Sequence, residues 1–270
     1  MDIRQNRELD RRVEEALSKA GLKDMASAYL IDLSSLACGG WRPDEVIYPA
    51  SVIKVPIMAE AFHQYDQGVL DPGARIVVSE ANQTTTAETT PLTAGYEATI
   101  EEMVDLMVTR SDNIATNQLM DVLRRERVTE YMRTLGLGSF LLGRKLSGSE
   151  PLIADPEMIG RNQLSALEIG RLLALIAIDR LPGAAAQREI LSRCVHNEKL
   201  VPGLSPGDRF AHKTGETGDT SHDAGILETF ESKRYVIVLY TAPAEHPSGA
   251  DASHVNPQMT DFMRSLRPAL

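Results

Sequence analysis

The chain has 270 residues, 43% hydrophobic and 24% charged, enough for one substantial core or two modest lobes of a globular protein. Its formal net charge is −10 (28 Lys and Arg against 38 Asp and Glu), with no block of like charge. That balance argues against a nucleic-acid groove or an anionic membrane surface as partner. Apolar stretches such as 172–178 fall far short of the roughly 20 residues a membrane span needs. The polar start, Met-Asp-Ile-Arg-Gln-Asn-Arg, has no apolar signal region, as in a cytosolic protein or one whose leader has been removed. Cys38 and Cys194 are too few and too far apart for a disulfide framework. The six histidines form no H-E-x-x-H or Cys/His ligand set, so neither a metal nor another cofactor is expected.

Residues 2–19 read as an amphipathic helix, with Ile3, Leu9, Val13, Ala16 and Leu17 on one side and Gly21 as its stop. Short strands are expected at 26–33 and 46–48, separated by the turn-rich Cys38-Gly-Gly-Trp-Arg-Pro. Residues 51–65 have helical periodicity, with Pro56 tolerable only because it lies near the start. From 100 to 181 the pattern is mostly helical: 100–108, 113–124, 128–135 and 164–179. The aperiodic stretch 144–162 reads as an ordered loop. Strand signals return at 210–213, 223–229 and 235–241, the last two joined by a hairpin at Phe230-Glu-Ser-Lys-Arg, before a final helix at 260–266. This order predicts an α+β fold, an α/β sandwich. Its antiparallel sheet comes from both ends of the chain, with flanking terminal helices and an all-helical insertion in the middle. We expect a single domain over 1–270, with an α/β lobe of 1–49 and 205–270, a helical lobe of 50–204, and a cleft where they meet.

Four short motifs compete for the chemistry. Gly203-Leu-Ser205-Pro-Gly207 matches the G-x-S-x-G nucleophile elbow, but that elbow needs a backbone N–H on the residue after the serine, and Pro206 has none. It reads as a turn. Ser51-Val-Ile-Lys54 puts a hydroxyl and an ammonium about one turn apart at a helix start, where developing negative charge is favoured. Ser111-Asp112-Asn113 lies between two helices, and each of the three is also a good N-cap. Lys213-Thr214-Gly215 ends a strand; its glycine lets a substrate amide approach, and its lysine adds a positive charge. Each of these is common alone. In the order S-x-x-K, S-D-N, K-T-G, on a helix start, an interhelical loop and a late strand, they form a known set.

On these motifs the chain resembles the class A β-lactamases, from about residue 26 to 241, within the wider superfamily that includes penicillin-binding proteins. Tyr48-Pro-Ala-Ser-Val-Ile-Lys-Val-Pro-Ile, Val108-Thr-Arg-Ser-Asp-Asn-Ile-Ala-Thr-Asn-Gln-Leu, and the run from Gly203 through Gly215 to His222-Asp-Ala-Gly-Ile all carry the likeness. The resemblance implies hydrolysis of β-lactams through an acyl-enzyme on Ser51. Lys54 would accept the proton, and Ser111, held by Lys213, would pass it to the leaving nitrogen. Asn113 would bind the substrate amide and Thr214 the substrate carboxylate. The N–H groups of Ser51 and Glu216, with Gly215 between the strand edge and the substrate, would receive the oxyanion. It further implies a periplasmic or secreted monomer acting on β-lactam or peptidoglycan-like small molecules. A D-alanyl carboxypeptidase or esterase, or a covalent β-lactam sensor that does not deacylate, stays open as an alternative.

Three positions depart from the family pattern. The deacylating glutamate matches Glu150 of Glu150-Pro151, with Glu157 a weaker competitor, but the usual arginine two before it is Gly148 and the usual asparagine four beyond it is Ala154. The residue after the K-T-G glycine, usually small or hydroxylated, is Glu216, which would repel a substrate carboxylate unless it points away or pairs with a cation. No arginine stands near Ser221 to bind that carboxylate, leaving Lys199 and Arg209 as substitutes.

Overall fold

The computed structural model describes residues 2–247 and 250–270. Its main sheet has six strands: β1 (Arg4–Gln5), β2 (Ala26–Asp32), β3 (Ala37–Trp41), β6 (Arg209–Glu216), β7 (Ser221–Glu228) and β8 (Arg234–Thr241). Their order in space is β1-β3-β2-β8-β7-β6, so the first and last thirds of the chain meet where β2 pairs antiparallel with β8. The expected sheet from both chain ends is therefore present. It is mixed, because β1 runs parallel to β3.

Both faces of this sheet are covered, which explains why β8 (Arg-Tyr-Val-Ile-Val-Leu-Tyr-Thr) is apolar almost throughout. Side chains alternate along a strand. Tyr235, Ile237 and Leu239 join a core with α1 (Arg7–Lys19) and α8 (Asn256–Leu266), while Val236, Val238 and Tyr240 join the larger core beneath the helical segment. α1 contributes Leu9, Val13, Ala16 and Leu17, and Asn6 caps it by accepting from the N–H of Glu8 at 2.9 Å. The helical segment comprises α2 (Lys54–Asp66), α3 (Ile100–Thr109), α4 (Asn113–Leu123), α5 (Arg125–Thr134), α6 (Ala166–Ala177) and α7 (Ala184–Ser192). A two-stranded ribbon, β4 (Arg75–Val77) with β5 (Glu97–Thr99), stands apart.

Five local expectations need correction. The turn-rich Cys38-Gly-Gly-Trp is the interior of β3, and its glycines serve close approach rather than turning. A Cβ on Gly39 would lie 2.4 Å from the backbone of Leu9 and Asp10, and one on Gly40 would lie 2.6 Å from the carbonyl of Ala28. The helix expected from Asp2 begins only at Arg7, because Arg4 and Gln5 pair with β3. The stretch 46–48 forms no strand; it lies just before Pro49, which has no N–H to give a ladder. Finally, α7 and the β4–β5 ribbon occupy stretches for which no element was expected. The last helix starts four residues early, with Pro257 in its first turn.

Candidate active site

Ser51 sits in a single 3-10 turn, Ala50–Ile53, that runs straight into α2. Val52 and Ile53 are fully buried, anchoring the turn while Ser51 stays half-buried on the wall of an open cleft of about 900 Å³. Ala50 adopts φ 47° and Ser111 φ 57°, left-handed conformations that cost a residue with a Cβ on the order of 1–3 kcal/mol. Both strained residues face this one cleft. The edge of β6 presses against the same turn. A Cβ on Gly215 would stand 2.8 Å from the carbonyl of Pro49 and 3.1 Å from the nitrogen of Ser51, so only glycine fits there.

Lys54, the first residue of α2, has no exposed surface. Its Nζ donates to the Ser111 carbonyl at 2.6 Å, to Ser111 Oγ at 3.0 Å and to Asn113 Oδ1 at 2.9 Å. Burial drives its pKa well below the usual lysine value; the nearby Lys213 charge adds to the drop and Asp112 opposes it. The capping of α4 falls to Asp112, which accepts from the N–H of Ala115 at 2.9 Å. Ser111 and Asn113 are thereby free to face Lys54, and Asn113 Nδ2 also reaches the Thr85 carbonyl on the opposite wall at 3.1 Å. One contact differs from expectation. Lys54 holds Ser111, and the Nζ of Lys213, fully buried, donates instead to the Thr214 carbonyl at 2.9 Å. Lys213 acts on the site through its charge, lowering both Lys54 and, behind the effect of burial, His196.

The 144–162 loop closes the far wall as an ordered segment without regular secondary structure. Arg125 on α5 clamps it with a buried two-pronged ion pair to Asp155, at 3.0 and 2.8 Å, and Asp155 also accepts from the N–H of Lys145 at 2.7 Å. Gly148 accounts for its own departure from the family pattern, since a Cβ there would lie 2.0 Å from the Thr85 carbonyl. Glu150 lines the cleft together with Ser51, exposed and free of hydrogen-bond partners among the described residues. Glu157 instead sits 3.9 Å from Arg125 and is not among the cleft residues.

At the β6 end, Glu216 does find a cation. Lys199, 1% exposed, donates to Glu216 Oε2 at 2.9 Å, to the Gly215 carbonyl at 3.1 Å and to Ser221 Oγ at 2.6 Å. Arg209 is at the other end of β6, exposed and paired with Glu228, away from the cleft. Behind the strand, His212 contacts Asp223 at 2.7 Å. Burial opposes its charge, but Asp223 outweighs that and pushes its pKa up to about 10. Motif reading missed Tyr48 and His196 as cleft residues, and neither carries a local signal that would have revealed it. Ser205, in the rejected elbow, lies in a turn that Asp208 closes by accepting from its N–H at 3.0 Å.

A profile of the beta-lactamase enzyme family matches residues 8–263. Among curated proteins, a beta-lactamase of Rhodobacter capsulatus is 30% identical over 175 residues, an alignment covering 59% of each chain. A beta-lactamase of Streptomyces fradiae is 29% identical over 245 residues, covering 84% of this chain and 76% of the relative. Among solved structures, a mutant of PBP-A held as the acyl-enzyme complex with penicillin G superposes with a TM-score of 0.82 at 24% identity, covering 100% of this chain and 98% of that one. An ancestral class A beta-lactamase gives 0.79 at 22% identity, covering 97% and 100%. These likenesses show a shared fold.

Proposed function

The chain belongs to the beta-lactamase enzyme family, and we propose that it is a serine β-lactamase whose acyl-enzyme forms on Ser51. The reading is carried by one observation: a fully buried Lys54 at hydrogen-bond distance from Ser111 Oγ and Asn113 Oδ1, one helical turn from Ser51. With its pKa lowered by burial, Lys54 is available as a neutral amine. A neutral amine keeps two N–H donors for the oxygens of Ser111 and Asn113 and has one lone pair, which turned toward Ser51 takes its proton. The proton of Ser51 then passes through Lys54 to Ser111 and on to the ring nitrogen as the amide C–N bond breaks and the ester forms. Backbone N–H groups of Ser51 and Glu216 receive the oxyanion, with the Lys213 charge behind them. Glu150 takes a proton from water, whose oxygen attacks the ester. Ser51 recovers its proton and the ring-opened acid leaves. Thr214, Gly215 and Asn113 position the substrate. In this reading the two lobes, 1–49 with 205–270 and 50–204, act as one domain and the protein works as a monomer.

Ala154, exposed in the loop, offers no polar group to hold the deacylating water, so deacylation is expected to be the slower half-reaction. Mixing with excess chromogenic cephalosporin should give a burst near one equivalent and then a slower steady state. Glu150→Gln should retain the burst and lose most of the steady phase. Steady turnover by Glu150→Gln at the wild-type rate would remove Glu150 from the mechanism, and a wild type that stops at one equivalent would be a covalent sensor.

A further inference from the structure

Two arginines of the 144–162 loop face the cleft without an acid. Arg144 and Arg161 both line it, and neither forms an ion pair among the described residues. Among the described residues the only side-chain hydrogen bond of Arg144 is a long one, 3.4 Å, to the Lys145 carbonyl, and Arg161 lies 4.8 Å over the ring of Tyr48. The backbone of Arg144 is fixed by buried Asn162, the chain neighbour of Arg161, which accepts from the N–H of Arg144 at 3.0 Å and donates to its carbonyl at 3.1 Å. The two guanidiniums are thus presented from one pinned junction. Burial raises the Tyr48 phenol, and the charges of Arg144 and Arg161 oppose the rise.

Beside them the wall carries exposed apolar side chains, Leu152 and Met158. The opposite end of the cleft is lined by Glu198, Glu216, Asp219 and Asp251. The cleft is therefore polarised, cationic at the loop and acidic at the β6–β7 turn, in a protein of net charge −10. Two like charges on one wall repel, and among the described residues no ion pair with Glu150, the acid of this loop that also lines the cleft, offsets them. An anionic ligand group would, and the planar guanidinium fork matches a carboxylate in two-pronged geometry.

We propose that Arg144 and Arg161, over Tyr48, form a subsite for a carboxylate borne on the acyl side chain of the substrate, with Leu152 and Met158 covering the apolar part of that chain. The assignment to the acyl side rests on the hydrolase reading, in which Thr214 takes the ring portion at the acidic end.

The test compares benzylpenicillin with α-carboxybenzylpenicillin, which differ by one side-chain carboxylate. Its readout is the ratio of their kcat/KM values, in which a general loss of fold or catalysis cancels. Arg161→Gln and Arg144→Gln should each lower that ratio, carboxylated over plain, by about tenfold, and Arg161→Lys by less, because it keeps charge but loses the fork. A ratio unmoved in both Gln variants overturns the subsite. A second arm needs no turnover: phenylmalonate and phenylacetate, titrated by NMR into the Ser51→Ala protein. Phenylmalonate should bind at least about fivefold tighter, and the difference should vanish on adding Arg144→Gln and Arg161→Gln. That result with no penicillin turnover would refute the hydrolase reading and keep the subsite. Equal binding of the two acids, alongside normal turnover, would refute the subsite and keep the hydrolase.

Discussion

Glu216→Gln tests what the Lys199–Glu216 pair does to the cleft. The Lys199 side chain is 1% exposed and its Nζ lies 2.9 Å from the carboxylate of Glu216, a side chain 40% exposed, so the Lys199 charge is answered from within. A substrate carboxylate bonded to Thr214 must approach an acid side chain two residues further along the same strand. Two such charges about 4 Å apart repel by about 1 kcal/mol in water and about 4 kcal/mol near a protein surface. The exposure of Glu216 argues for the lower part of that range, about 1–2 kcal/mol, or about five- to thirtyfold in rate. Gln keeps the oxygen that Lys199 bonds and removes only the charge. The assay compares kcat/KM for a chromogenic cephalosporin and for its methyl ester. Glu216→Gln should raise the value for the acid by that factor, mostly through KM, and change the ester little. An unchanged or lower acid-to-ester ratio would show that Glu216 sets Lys199 in place and does not oppose the substrate.

Other expectations follow from the same contacts. Lys199→Met leaves Glu216 without its cation and Ser221 without a donor, and should lower the acid-to-ester ratio about tenfold, opposite in sign to Glu216→Gln. Because the folded-state pKa of His212 is raised to about 10, its pairing with Asp223 contributes fully below the unfolded value near 6.5 and is lost as pH climbs toward 10. Differential scanning calorimetry should find the melting temperature falling across that window, and His212→Gln should flatten the slope; an equal slope in both would discharge the pair. Arg125→Met leaves Asp155 buried and unpaired, so urea unfolding should register a loss of about 3 kcal/mol, with the 144–162 loop exchanging amide hydrogens faster than the sheet. A loss below about 0.5 kcal/mol would mean that the loop is held elsewhere.

Much of this is legible in the sequence because it is local. Strands β2 and β8 announce themselves as largely apolar runs buried on both faces, and α3, α4 and α6 as 3.6-residue periods. Ser51, Lys54, Ser111 and Lys213 are singled out by three short motifs standing in one order and by the family they resemble. β3 is hidden because Gly39 and Gly40 meet α1 and β2 across space, and a tertiary contact leaves no mark on the local pattern. α7 has a signal in Ala184-Ala-Ala-Gln-Arg-Glu-Ile-Leu, a run of strong helix formers after Gly183, whose φ of 60° suits the start. The pairing of Lys199 with Glu216 joins residues from a 3-10 approach and a strand edge, and the clamp of Arg125 on Asp155 joins a helix to a loop. Neither follows from spacing. Gly148 reads as a missing arginine in the sequence, and only the Thr85 backbone above it explains the glycine.

The central claim is that an ester forms on Ser51 under the control of buried Lys54. Rapid-quench mass spectrometry of the protein with excess benzylpenicillin, followed by peptide mapping, tests it directly. One intact penicillin should be added per chain, carried by the peptide that contains Ser51, absent in Ser51→Ala and formed at least about a hundredfold more slowly in Lys54→Met. Labelling on any other peptide, or undiminished labelling of Ser51→Ala, would contradict it.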